Sequence, residues 1–259
     1  MINELHIDST LTDPDVDLTG QVILITGASR GVGAAAAEIA AAAGADVVIN
    51  YRSKEKRAQA VADKVEALGH KALLAKADLT NADEVAAMLQ ATQDAFGHLD
   101  VLVLNASGGL EKDVPEDYSM ILNRDSQVNM VKAALPLLKP GSTVVFVTSH
   151  LAHYYGEKPV MESYVTVAAG KKAGEDALRE LMPEFAARGI RFAIVSGDLI
   201  DGTITPKLLD RMTPGVIDQR REEAGWLPTT EDFAASIVLA AGRKDLEHGA
   251  VVYVGSTEW

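Results

Sequence analysis

The stretch LITGASRGVGAAAAEIA, residues 24–40, limits the choice of fold more than any other. A short apolar run meets Gly27, Gly31 and Gly33 and passes directly into an alanine-rich segment with helical character. Gly27 can turn the chain tightly, Gly31 lets backbone approach a pyrophosphate, and Gly33 lets the helix lie close to the sheet. The helix N-terminus then offers free N–H groups and a positive dipole end to phosphates. Ser29, Arg30 and Val32 complete the turn and are assigned to the cofactor, Ser29 as a hydrogen-bond donor. A glycine-rich turn without a ligand, or a methyltransferase turn, would share this motif taken alone. The strand–turn–helix order favours a dinucleotide site.

The remainder of the chain repeats that alternation. The apolar runs ADVVIN, KALLAKADL, DVLVLN, STVVFVTS, IRFAIVSG and AVVYVG read as strands, with helical stretches between them over 82–96, 116–138 and 166–187. Runs that are apolar on both faces belong to a parallel sheet covered by helices. The predicted fold is therefore α/β, a Rossmann-like doubly wound parallel sheet in three layers, α/β/α, within a single domain. With 259 residues, 47% of them apolar, the chain can fill one such core. Residues 1–18 carry five acids and no Lys or Arg. They read as an acidic surface extension ahead of a domain over 19–259. Residues 199–228 interrupt the rhythm between the last two strands and read as a substrate lid, with Gly202 and Gly215 as hinges.

The net charge of −13 gives no basic footprint for nucleic acid. No apolar run reaches the ~20 residues of a membrane helix. The absence of cysteine excludes disulfides, thiolate zinc sites and cysteine nucleophiles. A cytoplasmic protein is expected, with no nucleic-acid or membrane partner and no metal.

Cofactor choice is read at the end of the second strand. An acid about twenty residues past the turn would hold the ribose 2′-OH of NAD. This chain has Asn50, Tyr51 and Arg52 there instead. Arg52 and Arg30 suit a 2′-phosphate, because a planar guanidinium binds two oxygens at once. NADP is the expected cofactor.

These residues resemble the short-chain dehydrogenase/reductase family. TGASRGVG matches its TGxxxGxG turn, and the resemblance extends over residues 18–255. It implies adenine contact at Asp78 and Leu79 in ADL, and cofactor contact at Asn105 and Ala106 in LNAS, where Ser107 replaces a glycine. It places the family's helix asparagine on Asn123, its catalytic serine on Ser149, and a nicotinamide-side contact on Thr203. Two further departures from the family matter. Gly197-Asp198 stands in place of Pro-Gly, and no tyrosine lies four residues before Lys171, the position matching the family lysine; Val167 stands there.

Three tyrosines compete for the missing one. Tyr154 and Lys158 in YYGEK have the family spacing but run into Pro159, which suits a loop. Tyr155 is its neighbour. Tyr164 lies seven residues before Lys171, about 20° away around a helix but ~10 Å along it. A helix starting near Thr166 leaves Tyr164 at its entrance, free to fold back. A site in which no tyrosine acts remains a fourth reading. His150 and His153 read as pocket-rim residues, Glu175 as a surface acid and QRREE at 219–223 as a solvated helix face.

The resemblance implies hydride transfer between NADPH and a carbonyl or alcohol substrate. Ser149 would hold the substrate oxygen, Tyr164 would exchange its proton, Lys171 would hold the nicotinamide ribose and lower the tyrosine pKa, and Asn123 would hold a water in the proton relay. It also implies a homo-dimer or homo-tetramer. The rival expectation is a protein of the same fold that has lost its chemistry and senses NADP(H) or scaffolds a complex.

Overall fold

The computed structural model of the protein describes every residue except Lys112, Asp113, Gly202 and Thr213, and leaves aside the side chains of Ile204, Thr205, Leu208 and Met212. In chain order the elements are β1 (Ile2–Ile7), β2 (Val22–Ile25), α1 (Gly31–Ala42), β3 (Asp46–Tyr51), α2 (Glu55–Ala67), β4 (Ala72–Lys76), α3 (Ala82–Phe96) and β5 (Leu99–Leu104). The helical turn α4 (Tyr118–Met120) runs through a π turn, Ile121–Asp125, into α5 (Ser126–Ala134). Then come β6 (Leu138–Ser149), α6 (His150–His153), α7 (Val165–Glu180), α8 (Met182–Ala187), β7 (Arg191–Gly197), α9 (Ile204–Met212), α10 (Val216–Ala224), α11 (Thr230–Gly242) and β8 (Leu246–Val254).

The strands form one parallel sheet in the order β1-β8-β7-β6-β5-β2-β3-β4. Strands β2 and β5 are buried at every position, so both faces must be covered. One face is packed with the alanines of α1 and the apolar residues of α11. The other holds Val85, Met88 and Leu89 of α3, Met130 and Val131 of α5, and Phe185 of α8. Among the described residues no helix is long and apolar enough to cross a membrane.

One expectation is corrected here. Residues 1–18 were expected to be an extension, yet Ile2–Ile7 adds an eighth strand on the outer edge of β8. Ile2, Leu5 and Ile7 pack onto the core while Asn3, Glu4 and His6 lie at the more exposed edge. The alternation of a half-buried strand was there, masked by the acids that follow it. Beyond β1 the chain is tied down at Leu11, whose N–H donates to Asp232 Oδ1 at 2.8 Å. Asp232 is also the acid of the Thr229 capping box that starts α11.

The segment 199–228 is two helices, α9 and α10, rather than a bare loop. Gly215 has φ 87° at the start of α10, while Gly202, the other expected hinge, lies outside the described residues. The helix expected over 166–187 is split in two, with Pro183 in the first turn of α8.

Helix α7 lies very close to α4 and the π turn. A Cβ on Gly174 would stand 2.0 Å from the Asn123 carbonyl oxygen, and one on Gly170 would stand 2.8 Å from Ser119 Oγ. These two glycines, one helical turn apart, set the depth at which α7 sits. Gly174→Ala should therefore overpack the contact, at a cost of ~1–3 kcal/mol or more. At roughly 2–4 °C per kcal/mol, calorimetry should record a clear fall in Tm. An unchanged Tm would mean that α7 backs away freely.

Candidate active site

The carboxyl ends of the strands open into a cleft of about 970 Å³ that reaches from the glycine turn to Trp259. Where parallel strands end, their last N–H and C=O groups need partners other than the ladder. Thr26 supplies them: its hydroxyl accepts the N–H of Asn105 at 2.9 Å and of Ala106 at 3.0 Å and donates to Val103 O at 3.2 Å. Asn105 returns its amide to Thr26 O at 2.9 Å. Asn50 Oδ1 accepts the Gly27 N–H at 3.1 Å, while its NH₂ donates to Ala75 O and Ala77 O, both at 3.2 Å.

The turn itself needs glycine for separate reasons. Gly27 and Gly31 have φ 67° and 55°. A Cβ on Gly33 would lie 2.6 Å from Asn105 Nδ2 and 2.8 Å from Gly27 O. Space beside Gly31 is open. Arg30 caps α1 with no side-chain hydrogen bond, so the N–H groups of the first turn face the cleft without a side-chain partner. Exposed Arg30 and Arg52 flank this end, and Arg52 Nη1 donates to Tyr118 OH at 2.7 Å. Tyr51 is buried at the end of β3. Ser29, Val32, Asp78 and Leu79 also line the cleft, with Asp78 Oδ1 accepting from the Thr80 N–H and hydroxyl. Ser53 and Lys54, not singled out from sequence, line it beside Arg52.

At the other end of the cleft, Ser149 closes β6. Its Oγ lies 3.2 Å from Tyr164 OH and accepts the Ala152 N–H at 3.3 Å. Tyr164 ends a 3₁₀ turn, Glu162–Tyr164, and is the residue immediately before α7. A lowered phenol pKa was expected from Lys171, yet burial pushes it above the usual range, partly offset by the Ser149 bond. Lys171, two turns into α7, is buried, donates to Val147 O at 3.1 Å, and is held down to about 8 by burial. Lys172 instead pairs with Asp176 at 2.8 Å on the surface side. Val167, where the family places its tyrosine, is buried beside Tyr164.

Asn123 sits in the π turn with its amide committed to protein. It accepts from Ser107 Oγ at 2.9 Å and Gly108 N at 3.4 Å and donates to Gly108 O at 2.8 Å and Ser119 Oγ at 3.0 Å. The side chain therefore braces the 107–108 loop. The Thr203 hydroxyl is used in its own turn, donating to Ile200 O at 2.8 Å.

Several expectations are corrected by burial. Glu175 is not a surface acid: it is 1% exposed and holds His153 Nδ1 at 2.8 Å and Arg179 Nε at 2.9 Å. Burial opposes its charge, but these two partners keep its pKa below the usual range. His150 is not a rim residue. It is buried against Ser196 Oγ at 2.8 Å, and burial lowers its pKa to about 3, so it is neutral. Arg220 of the QRREE run is buried on Asp198. Tyr154 and Lys158 pack against Trp259, with Lys158 Nζ 4.5 Å from the indole centroid. Among the described residues no cluster of three or more His, Asp or Glu side chains could hold a metal.

A family model described as short chain dehydrogenase matches residues 21–212. A hydroxynaphthalene reductase-like protein of Metarhizium robertsii is 36% identical over 173 residues, 60% of this chain and 65% of that protein. This chain thus spans just under two thirds of that relative's length. An uncharacterized oxidoreductase of Methylorubrum extorquens is 32% identical over 212 residues, 78% of this chain and 83% of its own. Among solved structures, a short chain dehydrogenase from Burkholderia cenocepacia in complex with NADP has a TM-score of 0.79 at 30% identity, covering 93% of this chain and 98% of that one. The angucycline C-6 ketoreductase LanV with bound NADP has a TM-score of 0.77 at 25% identity, covering 93% and 97%.

The buried Lys171 makes a pH prediction. Its folded value of about 8 lies below the ~10.4 of an unfolded chain. Between the two, the unfolded chain carries the extra proton, so stability rises with pH across that window and is level below it. Lys171→Met should flatten this rise and stabilise the cofactor-free protein at neutral pH by roughly 1–3 kcal/mol. Urea unfolding from neutral to alkaline pH measures both. The same slope in the variant would show that another group is responsible.

Proposed function

The chain belongs to the short-chain dehydrogenase family, and from that premise we propose that it is an NADPH-dependent reductase of ring-bearing ketones, working through Ser149, Tyr164 and Lys171. The observation that carries the reading is the Ser149–Tyr164 hydroxyl pair at 3.2 Å, with buried Lys171 lining the same cleft as the glycine turn.

The residues of the turn fit a dinucleotide. The uncapped start of α1 and the open space at Gly31 suit a pyrophosphate, and Arg30 and Arg52 suit a 2′-phosphate. No acid stands at the end of β3 to select a free 2′-OH. When bound, NADPH supplies the hydride that goes to the carbonyl carbon. Ser149 holds the carbonyl oxygen by a hydrogen bond, and Tyr164 gives its phenol proton to that oxygen. A phenol raised by burial keeps its proton at neutral pH, which suits a donor in the reductive direction. Lys171 is mostly cationic at neutral pH and stabilises the phenolate left behind. Acid help of this kind is worth roughly 10²–10⁴ in rate.

The lining beyond Ser149 supports this substrate class. Leu151, Met161, Val167, Leu199 and Val216 make that end apolar. The names of the hydroxynaphthalene reductase-like relative and the angucycline ketoreductase point to the same kind of compound. Helices α9 and α10 act as the cover of this end.

Two outcomes are expected. Tyr164→Phe should reduce ketone-dependent NADPH oxidation by about 10² or more while NADPH binding persists, and Tyr154→Phe should keep most of the rate. Loss in Tyr154→Phe with retention in Tyr164→Phe would move the acid to the loop after α6; turnover by no variant and no wild-type protein across a panel of aryl ketones would favour a sensor. In fluorescence titrations NADPH should bind about tenfold or more tighter than NADH, since each charge-assisted contact contributes ~1.5–3 kcal/mol. Arg52→Ala should narrow the gap by weakening NADPH. Equal affinities in the wild-type protein would remove the 2′-phosphate reading.

A further inference from the structure

Beyond the hydroxyl pair, the cleft is closed by a charge clamp that neither the glycine turn nor the proton donor requires. Arg220 of α10 grips two pieces of chain that are far apart in sequence. Its Nε donates to Asp198 Oδ1 at 3.0 Å and its Nη2 to Asp198 Oδ2 at 2.7 Å, on the loop that follows β7. Its Nη1 donates to Glu258 O at 2.7 Å and its Nη2 to Ser256 O at 2.9 Å, on the segment 256–259. The pair is almost wholly buried, with side-chain exposures of 9% for Arg220 and 6% for Asp198. Close approach supports it: a Cβ on Gly255 would stand 2.7 Å from Asp198 Cβ, so the segment 256–259 leaves β8 tight against the loop after β7.

What the clamp holds in place is Trp259. The indole donates through Nε1 to Pro159 O at 3.0 Å and lies nearly parallel to the His150 ring, 7° apart with centroids at 6.2 Å. Lys158 steadies it from the other strand connection, donating to Thr257 O and standing over the indole. Trp259 lines the same cleft as Ser149, Tyr164 and Met161.

We propose that Trp259 is the wall that limits how long a ketone the site admits, and that Arg220, through Asp198, is the positioning residue that sets that wall. The substrate is then a compact fused-ring ketone whose far edge meets the indole, and larger ring systems are excluded. This rests on the carbonyl-reductase reading above for its turnover arm only; the binding arm stands without it. A fork held at two carboxylate oxygens and two carbonyls fixes direction as well as distance, which a lysine at position 220 would not.

The test is a ladder of monocyclic, bicyclic and tricyclic aryl ketones. It is read as kcat/KM with NADPH and as binding to the NADP⁺ complex by fluorescence of a Trp226→Phe protein, in which Trp259 is the sole indole. Trp259→Ala should raise the tricyclic-to-monocyclic ratio about tenfold or more, the scale on which pocket size discriminates apolar substrates. Trp259→Phe should keep the wild-type order. The double variant Asp198→Asn with Arg220→Gln, which leaves no lone buried charge, should shift the ratio in the direction of Trp259→Ala with NADPH affinity kept. A general loss of fold would instead lower all rungs together. In the Trp226→Phe protein the indole emission should respond to bound ketone. An unmoved ratio in Trp259→Ala, or a silent indole, overturns the wall even if turnover is high. An unmoved ratio in the double variant overturns the clamp. Ketone binding that follows the predicted ladder without turnover keeps the wall and rejects the reductase; no ketone binding rejects both.

Discussion

The carboxyl edge of the sheet depends on a knot made by one hydroxyl and two amides. Thr26, Asn50 and Asn105 take up the backbone groups that the ends of β2, β4 and β5 leave unpaired. A buried N–H or C=O without a partner costs about 1–3 kcal/mol, so a sheet that ends under a ligand cleft must satisfy these groups from its own side chains. Asn50 holds the Gly27 and Ala28 N–H groups, and the N–H groups at the start of α1 are left without a side-chain partner. The knot also explains Gly33, since the Asn105 amide occupies the place a side chain would need. Phosphate binding in such a turn is thus a consequence of how the strands are finished.

The second constraint is the depth of α7. Gly170 and Gly174 let it settle onto the π turn, and that depth carries Lys171 into the buried interior. The seven-residue spacing between Tyr164 and Lys171 becomes intelligible from this. Within one helix it would separate the two by ~10 Å along the axis. Tyr164 is outside the helix, at its entrance, and its ring reaches Ser149. Val167 then fills the apolar position that a tyrosine at the family spacing would take. On the proposed reading, a phenol at the helix entrance gives Ser149 its hydroxyl partner without altering the register of the lysine.

What the sequence made legible was what local pattern encodes. Glycines at fixed offsets and apolar runs each carry their own physical reason, and elements such as Ala82–Phe96 lie where the pattern places them. Three kinds of feature were not legible. Strand β1 has only Ile2, Leu5 and Ile7 to announce it, and its partner β8 is more than two hundred residues away. Glu175 and Arg220 sit in charged runs that look solvated. Their burial comes from partners supplied by other elements, His153 for one and Asp198 for the other. A residue whose role is to satisfy backbone, such as Asn50, carries no motif beyond being small and polar at a strand end.

The replacement of Pro-Gly by Gly197-Asp198 joins these points. At the first position Phe233 lies so close that a Cβ would stand 1.9 Å from its ring, so glycine is required where the family has proline. At the second, an unpaired buried carboxylate would be severely destabilising, and the Arg220 fork removes that penalty. Buried ion pairs add little net stability compared with apolar packing, so energy alone does not explain this one. What the pair does supply is a fixed mutual placement of the loop after β7, helix α10 and the segment 256–259. Apolar contacts between these pieces would tolerate sliding, whereas a two-point fork loses its bonds when either side moves by an ångström or so. The cost of burying two charges is therefore best understood as the cost of holding three distant segments in one register at the far end of the cleft.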